Sequence, residues 1–84
     1  RKLKFEKIDF AFLDAQHDKE SVIEEYNFVK RHQTRGDIII FDDVSKKFNE
    51  IMEAIDLIKK ENYYNISILE FSDEKRGYAI AEKL

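Results

Sequence analysis

The chain has 84 residues, of which 39% are charged, and its formal net charge is −3. This balance is typical of a soluble cytoplasmic protein and argues against nucleic-acid or anionic-membrane partners. The absence of cysteine excludes disulfides and thiolate metal sites, and no apolar run approaches the ~20 residues of a membrane span. Because chains this short bury only about 60–65% of their unfolded surface, we expect residues 1–84 to be a single partial domain.

The first half of the sequence predicts a β-α-β unit. After a polar lead-in, residues 8–13 are apolar at nearly every position, which is typical of a central parallel strand. Residues 20–33 repeat apolar side chains at helical spacing, and Asp18 is placed to cap that helix. Gly36 stands where glycine often ends a helix, and residues 37–41 form a second strand. The crossover makes the two strands parallel.

The second half predicts a helix followed by a hairpin. Ser45 is placed to cap a helix that continues to about residue 60 with a regular apolar stripe. Two further strands, 65–71 and 76–82, are separated by a polar turn of hairpin length, so they should be antiparallel. The predicted order is therefore β-α-β-α-β-β.

Three acids stand at the ends of the first two strands, namely Asp14, Asp42 and Asp43. Neighbouring strands lie about 4.8 Å apart, so carboxylates at adjacent strand ends can share a cation. Oxygen ligands suit Mg²⁺, Mn²⁺ or Ca²⁺ better than Zn²⁺. Asp42 and Asp43 would face opposite ways in a regular strand, so both could reach one metal only if the strand breaks there. The alternative is that these acids only favour turns and helix N-termini.

His17 follows Asp14 by three residues and is a candidate general base. An imidazole with an ordinary pKa near 6.5 can accept a proton at neutral pH. The alternative is a loop histidine exposed to solvent without a chemical role.

The segments 8–17 and 36–43, with the helix between them, resemble the later half of class I S-adenosylmethionine-dependent methyltransferases. The closest likeness is to the metal-dependent O-methyltransferases, and it extends over nearly the whole chain. The resemblance implies an α/β fold, the C-terminal half of a Rossmann-like sheet. Its four strands would be the fourth to the seventh of that sheet, with the last one antiparallel and inserted beside the fifth.

The resemblance also implies roles for individual residues. Asp14 matches the first metal-binding acid and would contact the cofactor as well, and Asp42 and Asp43 match the acids that complete the metal site. His17 matches the position of the general base. The implied cofactors are S-adenosylmethionine and Mg²⁺, or Mn²⁺ or Ca²⁺ in its place, and the implied substrate is a small-molecule hydroxyl.

The sequence lacks the family's Gly-rich cofactor turn, because Gly36 and Gly77 are its two glycines. We therefore expect the cofactor-binding N-terminal half to be absent and this chain alone to be inactive. The open edge of strand 8–13 favours self-pairing, hence a homo-oligomer. Two non-catalytic interpretations stay open: a receiver-like α/β module that holds Mg²⁺ beside a phosphorylatable aspartate, and an inactive methyltransferase relative with a structural role.

Overall fold

A computed structural model of the chain describes residues 7–14, 18–44, 49–70 and 77–84. Two helices and four strands follow one another in the predicted order β-α-β-α-β-β. Their bounds are β1 Phe10–Leu13, α1 Lys19–Lys30, β2 Ile38–Asp42, α2 Asn49–Glu61, β3 Tyr64–Glu70 and β4 Gly77–Lys83.

The four strands form one mixed sheet in the order β1-β2-β4-β3. β1 and β2 are parallel, with Leu13 opposite Phe41 at their carboxyl ends. β4 is antiparallel to both of its neighbours, β2 and β3. This is the strand order that the resemblance predicts for the last four strands of a class I methyltransferase sheet. The predicted fold class is confirmed.

Helix α1 begins as predicted and ends earlier than predicted. The Asp18 carboxylate accepts a hydrogen bond from the Ser21 backbone N–H (3.0 Å) and caps the first turn. The helix ends at Lys30 rather than near residue 33, because the His32 N–H bonds back to the Val29 carbonyl and tightens the chain into a turn. Gly36 therefore does not end the helix, and the predicted cap is wrong. It lies in the turn before β2, where its φ of +92° favours glycine.

Helix α2 buries most of the predicted apolar stripe: Ile51, Ile55 and Ile58 lie in the core and Met52 is partly buried, whereas Phe48 lies outside the described residues. Ala54, which the prediction did not include, is buried as well. Spacings of three and four residues place these side chains on one face of the helix. The predicted cap, Ser45, lies outside the described residues. No helix in the described ranges is long and apolar enough to cross a membrane.

The two helices pack against one face of the sheet. From the sheet, Ile39, Phe41, Ala79 and Ala81 point into this core. Alternate side chains point the other way, and there Phe12, Ile40, Leu69, Tyr78 and Ile80 line a shallow apolar groove. A sheet with apolar residues on both faces is what we expect of part of a larger domain. The predicted boundary, residues 1–84 as a partial domain, stays a prediction.

Candidate functional site

The structure brings the three predicted acids together at one edge of the sheet. Asp14 directly follows β1, Asp42 is the last residue of β2, and Asp43 comes next. Because β1 and β2 are parallel and in register, their carboxyl ends lie side by side. One carboxylate oxygen from each acid lies within 4.8 Å of the other two. Asp14 is exposed, and the other two are half-buried.

A break in the chain allows Asp42 and Asp43 to serve the same site. Asp43 has a φ of +58°, in the left-handed region that side-chain-bearing residues seldom adopt. Aspartate tolerates this conformation better than most residues do. The left-handed residue ends the strand alternation, so the Asp43 side chain does not turn to the opposite face. The break that the metal interpretation requires is present.

The pKa of the Asp42 carboxyl is shifted by burial and by the two neighbouring acids. Partial burial raises the pKa of the Asp42 carboxyl, and the nearby Asp43 and Asp14 carboxylates raise it further. A hydrogen bond from the Asp43 N–H to Asp42 Oδ1 (2.8 Å) acts in the opposite direction and orients the carboxylate. A bound divalent cation would relieve the repulsion. Three carboxylates are a suitable donor set for Mg²⁺, Mn²⁺ or Ca²⁺.

The roles predicted for the site residues, the metal ligands included, stay predictions, and for two of them the described residues offer no geometry. His17, the predicted general base, lies outside the described residues. The predicted contact between Asp14 and the cofactor is likewise not tested by the described residues. Both assignments stay predictions.

Sequence reasoning missed two residues that hold this site. Val44 is fully buried directly after the acid pair, and its backbone N–H donates to the Gly77 carbonyl at the start of β4 (3.0 Å). An isolated glycine in a strand pattern signals a close approach of two backbones, so Gly77 carried a usable signal.

Sequence reasoning also missed three polar contacts at the opposite end of the sheet. Lys7, assigned to the polar lead-in, forms an ion pair with the buried Asp37 (2.8 Å). The Tyr64 hydroxyl donates to the amide oxygen of the buried Gln33. Gln33 Nε2 in turn donates to the Ile38 carbonyl at the start of β2 (3.0 Å). These contacts hold the strand whose far end carries Asp42.

The fold is similar to that of an O-methyltransferase from Bacillus cereus whose crystal structure was solved in complex with SAH. The two structures superpose with a TM-score of 0.77 at 23% sequence identity, over 98% of this chain and 43% of that chain. This chain has the fold of a Rossmann-like methyltransferase half. It spans less than half the length of the Bacillus cereus protein. No protein-family model and no curated protein matches the sequence.

Proposed function

We propose that this chain carries the metal-binding half of an S-adenosylmethionine-dependent O-methyltransferase that acts on a small-molecule hydroxyl. The observation that carries the proposal is the convergence of Asp14, Asp42 and Asp43 at a strand break within this fold. The similar Bacillus cereus protein is an O-methyltransferase with SAH bound, and SAH is what S-adenosylmethionine becomes after it donates its methyl group.

The position of the acids agrees with the way in which open α/β sheets bind ligands. Such sheets bind at the carboxyl ends of their parallel strands. Asp14 and Asp42 stand at this edge on adjacent strands, and the turn at Asp43 adds a third carboxylate. Burial is the main cause of the raised pKa of Asp42, and the neighbouring Asp43 and Asp14 carboxylates add to it; a bound cation would offset both effects.

The residues of this chain have separate tasks in the proposed site. Asp14, Asp42 and Asp43 would hold a divalent cation, which would act as a Lewis acid and lower the pKa of the substrate hydroxyl. The Asp43 N–H keeps the Asp42 carboxylate in one orientation. Fixed ligands of this kind position the acceptor oxygen for attack on a methyl group. His17 would accept the hydroxyl proton.

Metal binding by the chain itself tests the first part of the proposal. Mn²⁺ is titrated into the parent chain and into the Asp14→Asn, Asp42→Asn and Asp43→Asn variants, and binding is followed by the electron paramagnetic resonance of free Mn²⁺. We expect each variant to bind at least about tenfold more weakly than the parent, because even residues outside the ligand set change metal affinity by 10–100-fold. Asp56→Asn, an exposed acid of α2, is the matched control and should bind like the parent. If the three strand-end variants bind Mn²⁺ as tightly as the parent and the Asp56→Asn control do, the proposed metal site is contradicted.

Methyl transfer tests the second part. The gene product that contains these residues is incubated with methyl-labelled S-adenosylmethionine and catechol, with and without Mg²⁺. Asp14→Asn and His17→Ala should each abolish most of the transfer. Full activity in both variants would mean that the residues are wrongly assigned. Labelling of the protein by acetyl phosphate, with no methyl transfer, would instead favour the receiver-like module.

A further inference from the structure

The turn that carries Asp43 is packed directly against the first residue of β4. A Cβ atom placed on Gly77 would lie 2.0 Å from the Val44 carbonyl oxygen and 3.0 Å from that of Leu69. Both obstacles are backbone atoms, so no side-chain rotation can relieve the overlap. Glycine is needed at 77 because the backbone of Val44 approaches it so closely.

This contact makes Asp43 an extra residue in the ladder between β2 and β4. Asp42 lies opposite Tyr78, and the next backbone bond joins Val44 to Gly77. One strand therefore advances two residues while the other advances one, which is the arrangement of a β-bulge. The chain is fixed on both sides of Asp43, and the inserted residue takes up the difference with its left-handed backbone.

The buried side chain of Val44 holds the other side of the contact. It is fully inaccessible to solvent and belongs to the core that the helices form on the sheet. The Val44 backbone is therefore held between its own anchored side chain and Gly77. Neither residue has a side-chain ligand atom, yet together they set the backbone conformation of Asp43, which has one.

We infer that Gly77 is a positioning residue for the proposed metal site, and that it acts by holding the Val44 backbone so that Asp43 stays left-handed beside Asp42 and Asp14. This inference rests on the proposed function. A side chain at 77 would push the Val44 carbonyl away, relax the bulge and carry the Asp43 carboxylate out of the group.

The test compares the two glycines of the chain. Gly77→Ala and Gly36→Ala are each examined by NMR for the backbone φ of Asp43, from three-bond couplings, and by Mn²⁺ titration. Gly36 lies in the turn before β2 with a positive φ, and a Cβ atom added there would meet no atom of the described residues within 4 Å. Gly36→Ala therefore adds a methyl group at a glycine with a positive φ but causes no steric overlap, and it serves as the control. We expect Gly77→Ala to lose the left-handed Asp43 and to bind Mn²⁺ about 10–100-fold more weakly, whereas Gly36→Ala should keep both properties.

Two outcomes would overturn the inference: a left-handed Asp43 in Gly77→Ala, or parent-like Mn²⁺ affinity in that variant. If Gly77→Ala does not fold, Val44→Ala loosens the same contact without a steric clash and should weaken Mn²⁺ binding in the same direction. Parent-like Mn²⁺ affinity in Val44→Ala would then overturn the inference. If the parent itself binds no Mn²⁺, the proposed function fails, and the φ of Asp43 in Gly77→Ala still decides whether Gly77 positions this turn.

Discussion

Replacement of Tyr64 by phenylalanine should destabilise the fold more than the same replacement at Tyr26. Both tyrosines are buried, with 3% and 1% of their surface exposed, and each hydroxyl donates to a side-chain acceptor. The two acceptors differ. Tyr64 donates to Gln33, which is only 7% exposed, whereas Tyr26 donates to the exposed Glu61. The substitutions are otherwise matched, because each removes one oxygen and keeps the ring.

The expected loss of unfolding free energy depends on which partners the acceptor keeps after each substitution. Without the Tyr64 hydroxyl, the Gln33 amide oxygen keeps no hydrogen-bond donor among the described residues, and leaving a buried polar group unpaired costs about 1–3 kcal/mol. Without the Tyr26 hydroxyl, Glu61 is still paired with Lys30 (3.2 Å) and open to water. The second substitution should therefore cost only the net value of an ordinary hydrogen bond, about 0.5–1.5 kcal/mol.

Urea unfolding of the parent, Tyr64→Phe and Tyr26→Phe at pH 7 measures the difference. Burial raises the pKa of Tyr64 to about 12, so its hydroxyl is protonated and able to donate under these conditions. The contribution of the protonated Tyr64 hydroxyl to the free energy of unfolding is fully present below the ordinary tyrosine pKa of 10.0 and is lost as the pH rises through about 12. A larger loss of unfolding free energy in Tyr26→Phe than in Tyr64→Phe would refute the reasoning.

Two further predictions concern charge and packing. Lys7 and the Thr34 N–H lower the pKa of Asp37, so this carboxylate adds to the free energy of unfolding above its ordinary pKa of 3.8, and the contribution is lost as the pH falls through the pKa in the folded state. Burial and the neighbouring Asp43 and Asp14 raise the pKa of Asp42, so at neutral pH the ionised Asp42 carboxylate instead lowers the free energy of unfolding. At pH 7 without metal, Asp37→Asn should therefore destabilise and Asp42→Asn should stabilise, and urea unfolding with the same sign for both would contradict this. Val44→Ala removes two methyl groups from a fully buried site and should cost about 2–3 kcal/mol from lost transfer energy and the cavity left behind. A loss below about 1 kcal/mol in thermal unfolding would show that the core collapses around the smaller side chain.

Local patterns in the sequence were enough for the elements and for part of the site. The spacing of Ile51, Met52, Ile55 and Ile58 identified α2, and the apolar runs that end in acid identified β1 and β2. Parallel pairing follows from the crossover helix, so the meeting of Asp14 and Asp42 could be predicted from topology. The requirement for a break at Asp43 followed from the two-residue period of a strand.

Other features depend on residues that are distant in the sequence. The position of β4 between β2 and β3 came from the family resemblance, since hairpin length alone does not say which neighbour a returning strand chooses. Helix α1 includes the whole apolar pattern but ends at Lys30, before the predicted residue 33 and the predicted glycine cap, because a turn held by backbone hydrogen bonds follows it. Tyr64 and Gln33 are 31 residues apart, and no local pattern links them.

By itself, then, the sequence determined the elements, their order and the edge of the sheet where the acids gather, because side-chain periodicity and the direction of parallel strands are local properties. Only the tertiary structure decided that Asp43 joins Asp42 and Asp14. That depends on the Val44 backbone lying against Gly77, 33 residues further along the chain, where a glycine leaves just enough space.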